Sequence, residues 1–224
     1  MTPPLHFADA REAADLAAFL DRLIHYDRAA AVRLQAGGGA LAVFGRPPSF
    51  EVLAIRTAAL LDDAPLDITV SAGQLLDGIE ESAGKAMVPA PVTGPPWAGV
   101  LPPRGGWREV PGLPDAAGLR EQVAGAVAEF RRRDGALPAQ RRTRTERDRI
   151  GREIWSRPVG TTGLPLRAVH AAQSLGFLPP HRVPVALLAA GAWLRLRTPY
   201  GSVAVRAAGL GTGLSVTAVR PAAP

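Results

Sequence analysis

The chain has 224 residues, 47% of them hydrophobic and 21% charged, with a formal net charge of +6, an ordinary globular balance with enough apolar material for a real core. It contains no cysteine, which excludes a disulfide frame, a thiolate nucleophile and a cysteine zinc site. Lysine occurs once, at Lys85, and asparagine is absent; these preferences follow GC-rich codons and point to a GC-rich genome, so part of the arginine content is genomic.

Asp9, Arg11, Glu12 and Asp15 interrupt the first apolar stretch and rule out a signal peptide there. The longest apolar run, residues 183 to 194, contains Pro184 and is too short for a bilayer core of about 30 Å. The expectation is a soluble cytoplasmic protein with no membrane partner.

Asp9 and Glu12 make a D-x-x-E start, and Leu16, Phe19, Leu20, Leu23 and Ile24 recur at helical spacing, which predicts an amphipathic first helix. Strand character follows at 30–36, 40–44, 50–57 and 66–71, with turns at Gly37-Gly38-Gly39 and Arg46-Pro47-Pro48. In 66–71, Leu66, Ile68 and Val70 alternate with Asp67, Thr69 and Ser71, as a strand with one buried face requires. A short acidic helix is predicted over 72–82.

Prolines 89, 91, 95, 96, 102, 103, 111 and 114 remove donors and fix φ, which predicts a loop without strand or helix over 89–114, held to the surface by Trp97 and Trp107. The alternative there is a polyproline ligand for another domain. Leu119, Val123, Val127 and Phe130 form one face of a helix over 115–133, ended by Asp134-Gly135. Thr143 and Glu146 form a capping box for a helix from 144 to 156, in which Asp148 and Arg152, and Arg149 and Glu153, stand four apart and can pair. Pro165 and Gly176 bracket a further helix. Strands are expected near 185–189, 193–197, 202–206 and 214–218.

The tail resembles the amino-terminal part. "AVRLQAGGGALAVFGRPPSFEVLAIR" can be laid over "PVALLAAGAWLRLRTPYGSVAVR", which places Ile55 opposite Val205, each copy being a helix followed by an antiparallel meander. The expected fold is therefore α+β: two pseudo-repeated helix-plus-meander units, 1–84 and 164–224, with a proline-rich loop and arginine-rich helical insert over 85–163. One compact domain is the reading; two domains split near residue 90 is its rival.

Catalytic signatures are missing. "GIEESAGK" has one residue too many between its glycines and Ala86 where a phosphate loop needs a hydroxyl. "GLGTG" at 209–213 precedes strand residues and reads as a hairpin turn. His6, His25, His170 and His181 are scattered, and Asp77, Glu80 and Glu81 read as a solvated acidic face rather than a cation site. No catalytic residue, metal or cofactor is expected.

Charge carries the rest. Residues 131–157 hold ten arginines against four acids, an excess equal to the formal charge of the whole chain, whereas 62–81 holds six acids and no base. Arg131, Arg132, Arg133, Arg141, Arg142 and Arg144 are the candidate anion-binding residues. Arg141 and Arg142 should matter more than Arg149 and Arg152, whose intrahelical partners offset them. A second basic surface follows if Leu194 and Leu196 point inward, since alternation then gathers Trp193, Arg195, Arg197 and Arg206 on the other face. The functional expectation is a non-enzymatic binding protein for nucleic acid or an acidic protein surface. The alternatives are a small-molecule enzyme with a pocket between the repeats, or a self-assembling protein in which the 62–81 stretch of one copy docks on the 131–157 stretch of another.

Overall fold

The computed structural model describes residues 3–48, 50–93 and 101–207. In chain order the elements are β1 (Leu5–His6), α1 (Ala10–Tyr26), β2 (Ala31–Gly37), β3 (Ala40–Gly45), β4 (Leu53–Ala59), β5 (Leu66–Ser71), α2 (Ala72–Asp77), β6 (Ile79–Glu80), β7 (Lys85–Ala86) and β8 (Arg108–Val110). They continue with α3 (Ala116–Gly135), α4 (Arg144–Trp155), α5 (Leu166–Ser174), β9 (Ala186–Ala190), β10 (Trp193–Thr198) and β11 (Gly201–Arg206). The fold is α+β. Asp9 caps α1 by accepting from the Glu12 amide at 3.0 Å, and Asp115 and Thr143 cap α3 and α4 in the same way.

Among the described residues, eight antiparallel strands form one sheet in the order β5-β2-β3-β4-β11-β10-β9-β8. The two meanders therefore meet edge to edge, β4 against β11, with Val203 opposite Ala54. The order reads alike outward from that junction, as an approximate twofold axis between β4 and β11 requires. Its outermost strands break the symmetry of the chain path, since β5 follows its meander and β8 precedes its own.

Alternation along the strands sends Leu34, Val43, Ala54, Leu194, Leu196, Val203 and Val205 to one face. There α1 and α5 cover them, and Phe19 of α1 stacks on Phe177, just after α5, with ring centroids 5.6 Å apart. This core runs through both halves. Phe44, Leu53, Ile55 and Ala204 occupy the opposite face with Leu101 and Trp193. Ile55 and Val205 are both buried but on opposite faces. Their expected equivalence is thus wrong by one residue, and with a side-chain period of two such a slip exchanges the faces.

Other departures are local. The strand expected from 50 begins only at Leu53, because the chain turns through Glu51 at a left-handed φ of 52°. The helix expected over 72–82 ends at Asp77, where Gly78 passes against the Met87 carbonyl; a Cβ there would lie 2.7 Å from that oxygen. The chain then forms β6, which pairs with β7, and β7 with β1, in a small second sheet. Within the proline-rich stretch, the proline-free residues Arg108–Val110 do form a strand, on the sheet edge beside β9, the position where a proline-flanked strand is tolerated. Trp107 donates Nε1–H to the Pro103 carbonyl at 3.0 Å. Trp97, the 209–213 turn and the 214–218 strand lie outside the described residues.

Candidate functional site

The arginine-rich stretch builds a helical hairpin of α3 and α4, seated on the core by Leu119, Val123, Ala126, Ile150 and Ile154. Part of its charge is spent on bracing. Arg157 grips Glu129 with two bonds of 2.6 and 2.8 Å, Arg133 grips Glu153 with two of 2.7 Å, and Arg147 holds Asp134 at 2.7 Å. Such forked guanidinium–carboxylate pairs fix geometry as well as charge. Hydrogen bonds from Arg157 and then Arg133 pull the Glu129 carboxyl down to about 2. Those from Arg133, helped by Arg157, bring Glu153 to about 2 as well.

The pairing differs from the sequence expectation. Asp148 lies 3.8 Å from Arg144, Arg149 bonds Glu146 at 2.9 Å, and Glu153 faces across to α3. The Arg133 fork thus takes Glu153 away from Arg149, which pairs with Glu146 instead, Asp148 lies nearer Arg144 than Arg152, and Arg152 is not offset. Among the described residues the side chains of Arg131, Arg132 and Arg152 have no hydrogen-bond or ion-pair partner. Arg142 donates to the carbonyls of Gly135 and Leu137 at 3.1 and 3.3 Å, closing the end of α3. Arg141 stands a loose 3.6 Å from Glu146, and the Arg144 side chain is 95% exposed. Arg133 belongs to the brace.

Trp193, Arg195, Arg197 and Arg206 share the sheet face opposite the helices. Trp193 and Arg206 are register partners, with the Arg206 guanidinium 5.3 Å from the indole centroid. Arg195 lies 5.7 Å from the Trp107 ring and donates to the Ser202 hydroxyl at 2.8 Å; burial, with some help from Arg197, lowers its pKa. The hairpin arginines and this group are therefore separated by the sheet. Three of the six acids of 62–81 find local ion-pair mates: Asp62 bonds His6, Asp67 bonds Arg33 and Glu80 pairs with Lys85. Among the described residues there is no group of three or more His, Asp or Glu side chains able to hold a metal ion, and no helix long and apolar enough to cross a membrane.

A cleft of about 720 Å³ opens where α3, α4 and α5 meet the β3–β4 connection, lined among others by Phe50, Phe130, Arg152, Trp155, Arg167 and His170. His170 stacks on Trp155 at 4.2 Å and 18°, with Phe50 edge-on to it at 5.1 Å. Burial lowers the His170 pKa, favouring the neutral form of the stacked imidazole. On the rim Arg167 approaches Glu51 only to 3.8 Å, and its Nε is buried without a partner. Glu51 is the one non-glycine residue at positive φ among the described residues, a conformation that disfavours side chains and is enriched at functional sites. Sequence reasoning missed this cleft because its residues come from four separate segments; the signal it passed over is a glycine, Gly151, inside an otherwise regular helix.

Residues 1–99 match a family model described as a domain of unknown function (DUF8010), and residues 102–210 match another, described as a domain of unknown function (DUF8185). A comparison with curated proteins gives no match. Among solved structures the chain is similar to the DNA polymerase sliding clamp from Pseudomonas aeruginosa, with 14% identity and a TM-score of 0.50 over 91% of this chain and 64% of that one. At that identity the likeness is one of fold, and the chain spans less than two thirds of the clamp subunit.

Proposed function

We propose that the chain is a binding protein whose α3–α4 hairpin engages an anionic partner, nucleic acid first among them. The observation that carries this reading is the set of arginines at the hairpin whose side chains have no partner among the described residues, Arg131, Arg132 and Arg152, held on a braced scaffold rather than on a loose tail. A guanidinium already locked to a carboxylate gains little from a phosphate, whereas a free one releases counterions when it meets the backbone. The fold likeness to a DNA polymerase sliding clamp makes DNA the natural first probe. The Trp193, Arg195, Arg197 and Arg206 face would supply a separate, smaller contact.

Fluorescence anisotropy with duplex and single-stranded DNA and RNA at rising salt tests the proposal. Three phosphate contacts on duplex DNA give a slope of roughly 2.7 log units per tenfold salt, at about 0.9 per contact. Changing Arg131 and Arg132 to Ala should remove about two contacts from it. Arg141→Ala is the informative companion, since Arg142→Ala would also loosen the end of α3. If Arg197→Ala weakened binding and the hairpin variants did not, the contact would move to the opposite sheet face. Absence of binding at low salt would refute the nucleic-acid reading and leave an acidic protein surface, including the 62–81 stretch of a second copy.

A further inference from the structure

The cleft beneath the hairpin has the makings of a small-molecule site independent of any polymer. Its volume, about 720 Å³, falls in the range of ligand pockets, roughly 300–1,000 Å³. Two cations there are free or loosely held: the Arg152 side chain has no partner among the described residues, and Arg167 has a buried Nε without a hydrogen bond, 3.8 Å from the Glu51 carboxylate. A buried guanidinium donor left unbonded is unfavourable and calls for an acceptor. Aromatic side chains line the same cleft. His170 covers one face of Trp155 and so fixes the plane of the indole, and Phe130 of α3 lines the cleft with it.

The floor is kept open by Gly151. A Cβ at that position would sit 3.7 Å from Trp155 and 3.8 Å from Phe130, in ordinary contact, so alanine would fit and would favour the helix. A larger side chain would grow into the space between the two rings.

We propose that this cleft binds a phosphorylated molecule with a planar ring, a mononucleotide in its simplest form, with the phosphate between Arg152 and Arg167 and the ring against Trp155 and Phe130. Guanidinium forks match phosphate oxygens, and aromatic side chains accept any flat base through its π face. The same chemistry could be presented by a free nucleotide or by one unstacked from a single strand. The proposal goes beyond the nucleic-acid reading and survives its failure.

Calorimetric titration of the full chain with AMP, adenosine, inorganic phosphate and a short oligo-dA decides the matter. Saturable AMP binding is expected, with adenosine and phosphate each weaker. Arg152→Ala and Arg167→Ala should each weaken AMP by about tenfold or more, the loss of one charge-assisted hydrogen bond. Gly151→Leu should abolish binding without loss of thermal stability, since leucine is the better helix former. Oligo-dA binding that Gly151→Leu removes, with AMP inert, would identify the strand-borne nucleotide as the source. The proposal is overturned if neither ligand binds, or if binding is undiminished in both Gly151→Leu and Arg167→Ala. Because AMP is no polymer, a chain that binds AMP but not DNA keeps this site and loses only the hairpin reading.

Discussion

Arg56 ties the two halves together, and its replacement should be felt by the whole chain. The residue lies on β4 beside the junction with β11, with a side chain only 7% exposed. Its Nη2 donates to Asp15 at 2.9 Å and to Glu12 at 3.4 Å on α1, and its Nη1 to the Tyr200 carbonyl at 2.7 Å in the β10–β11 turn. Arg56→Met keeps most of the apolar stem and deletes all three bonds. Breaking a fully buried ion pair costs about 3–5 kcal/mol. Here Glu12 and Asp15 are 28% and 36% exposed and can rehydrate, and the arginine's own desolvation is recovered, so about 2–3 kcal/mol is the reasoned loss. For a chain of this size that lowers Tm by about 5–10 °C. Thermal unfolding followed by circular dichroism measures it, with Asp15→Asn completing a double-mutant cycle whose coupling should reach about 1 kcal/mol. A shift below about 1 °C would show that the geometry does not translate into stability. So would a two-step melt in the variant, because a contact that spans both halves should shift one common transition.

Acid should loosen the α3–α4 brace. Glu129 and Glu153 are held at about 2 against about 4.3 when unfolded, so their contribution is complete above the unfolded value and is lost as pH falls toward the folded one. Urea midpoints should therefore drop between about pH 4.5 and 2, less so in Glu129→Gln, and a midpoint that rose on acidification would contradict the bracing. In the β10–β11 turn, a Cβ on Gly201 would come within 2.5 Å of the Phe177 ring, which is buried and stacked on Phe19. Gly201→Ala should cost about 1–3 kcal/mol by overpacking, and an unchanged melting temperature would mean that the ring can move aside.

Local chemistry was legible in the sequence to the extent that each signal was self-contained. Asp9 announced α1, Thr143 announced α4, and the alternation of Leu66 to Ser71 marked β5, because caps and strand periodicity depend on near neighbours. The face shared by Trp193, Arg195 and Arg197 followed from the same alternation. Two kinds of feature were hidden. Register is a tertiary property, so the overlay that matched Ile55 with Val205 had no way to sense that they face opposite sides. Charge pairing was the other. The i,i+4 rule offered Glu153 to Arg149, whereas a forked contact from Arg133 on the other helix, with a single 3.5 Å contact from Arg157, binds it in the fold. The cleft was illegible for a similar reason, since Phe50, Phe130, Trp155 and His170 meet only when four segments converge.

The near-symmetry of the sheet narrows where function resides. Each half leads a helix, α1 or α5, into a three-strand meander, and the meanders join at β4 and β11. What the halves share is thereby occupied in building a common core. The second half adds α3 and α4, which have no counterpart between β1 and α1, and the segment from Arg131 to Arg157 carries a charge excess equal to that of the whole chain. A purely structural insert would neutralise itself, and this one does so only in part, through Glu129, Asp134, Glu146 and Glu153. It stops short at Arg131, Arg132 and Arg152. Arg131 and Arg152 line two adjoining clefts that both reach His170, so the uncompensated charge borders concave, aromatic-lined surface rather than open solvent alone. Symmetry accounts for the scaffold; the departure from it, in charge and in shape at the same place, is where a ligand would be met.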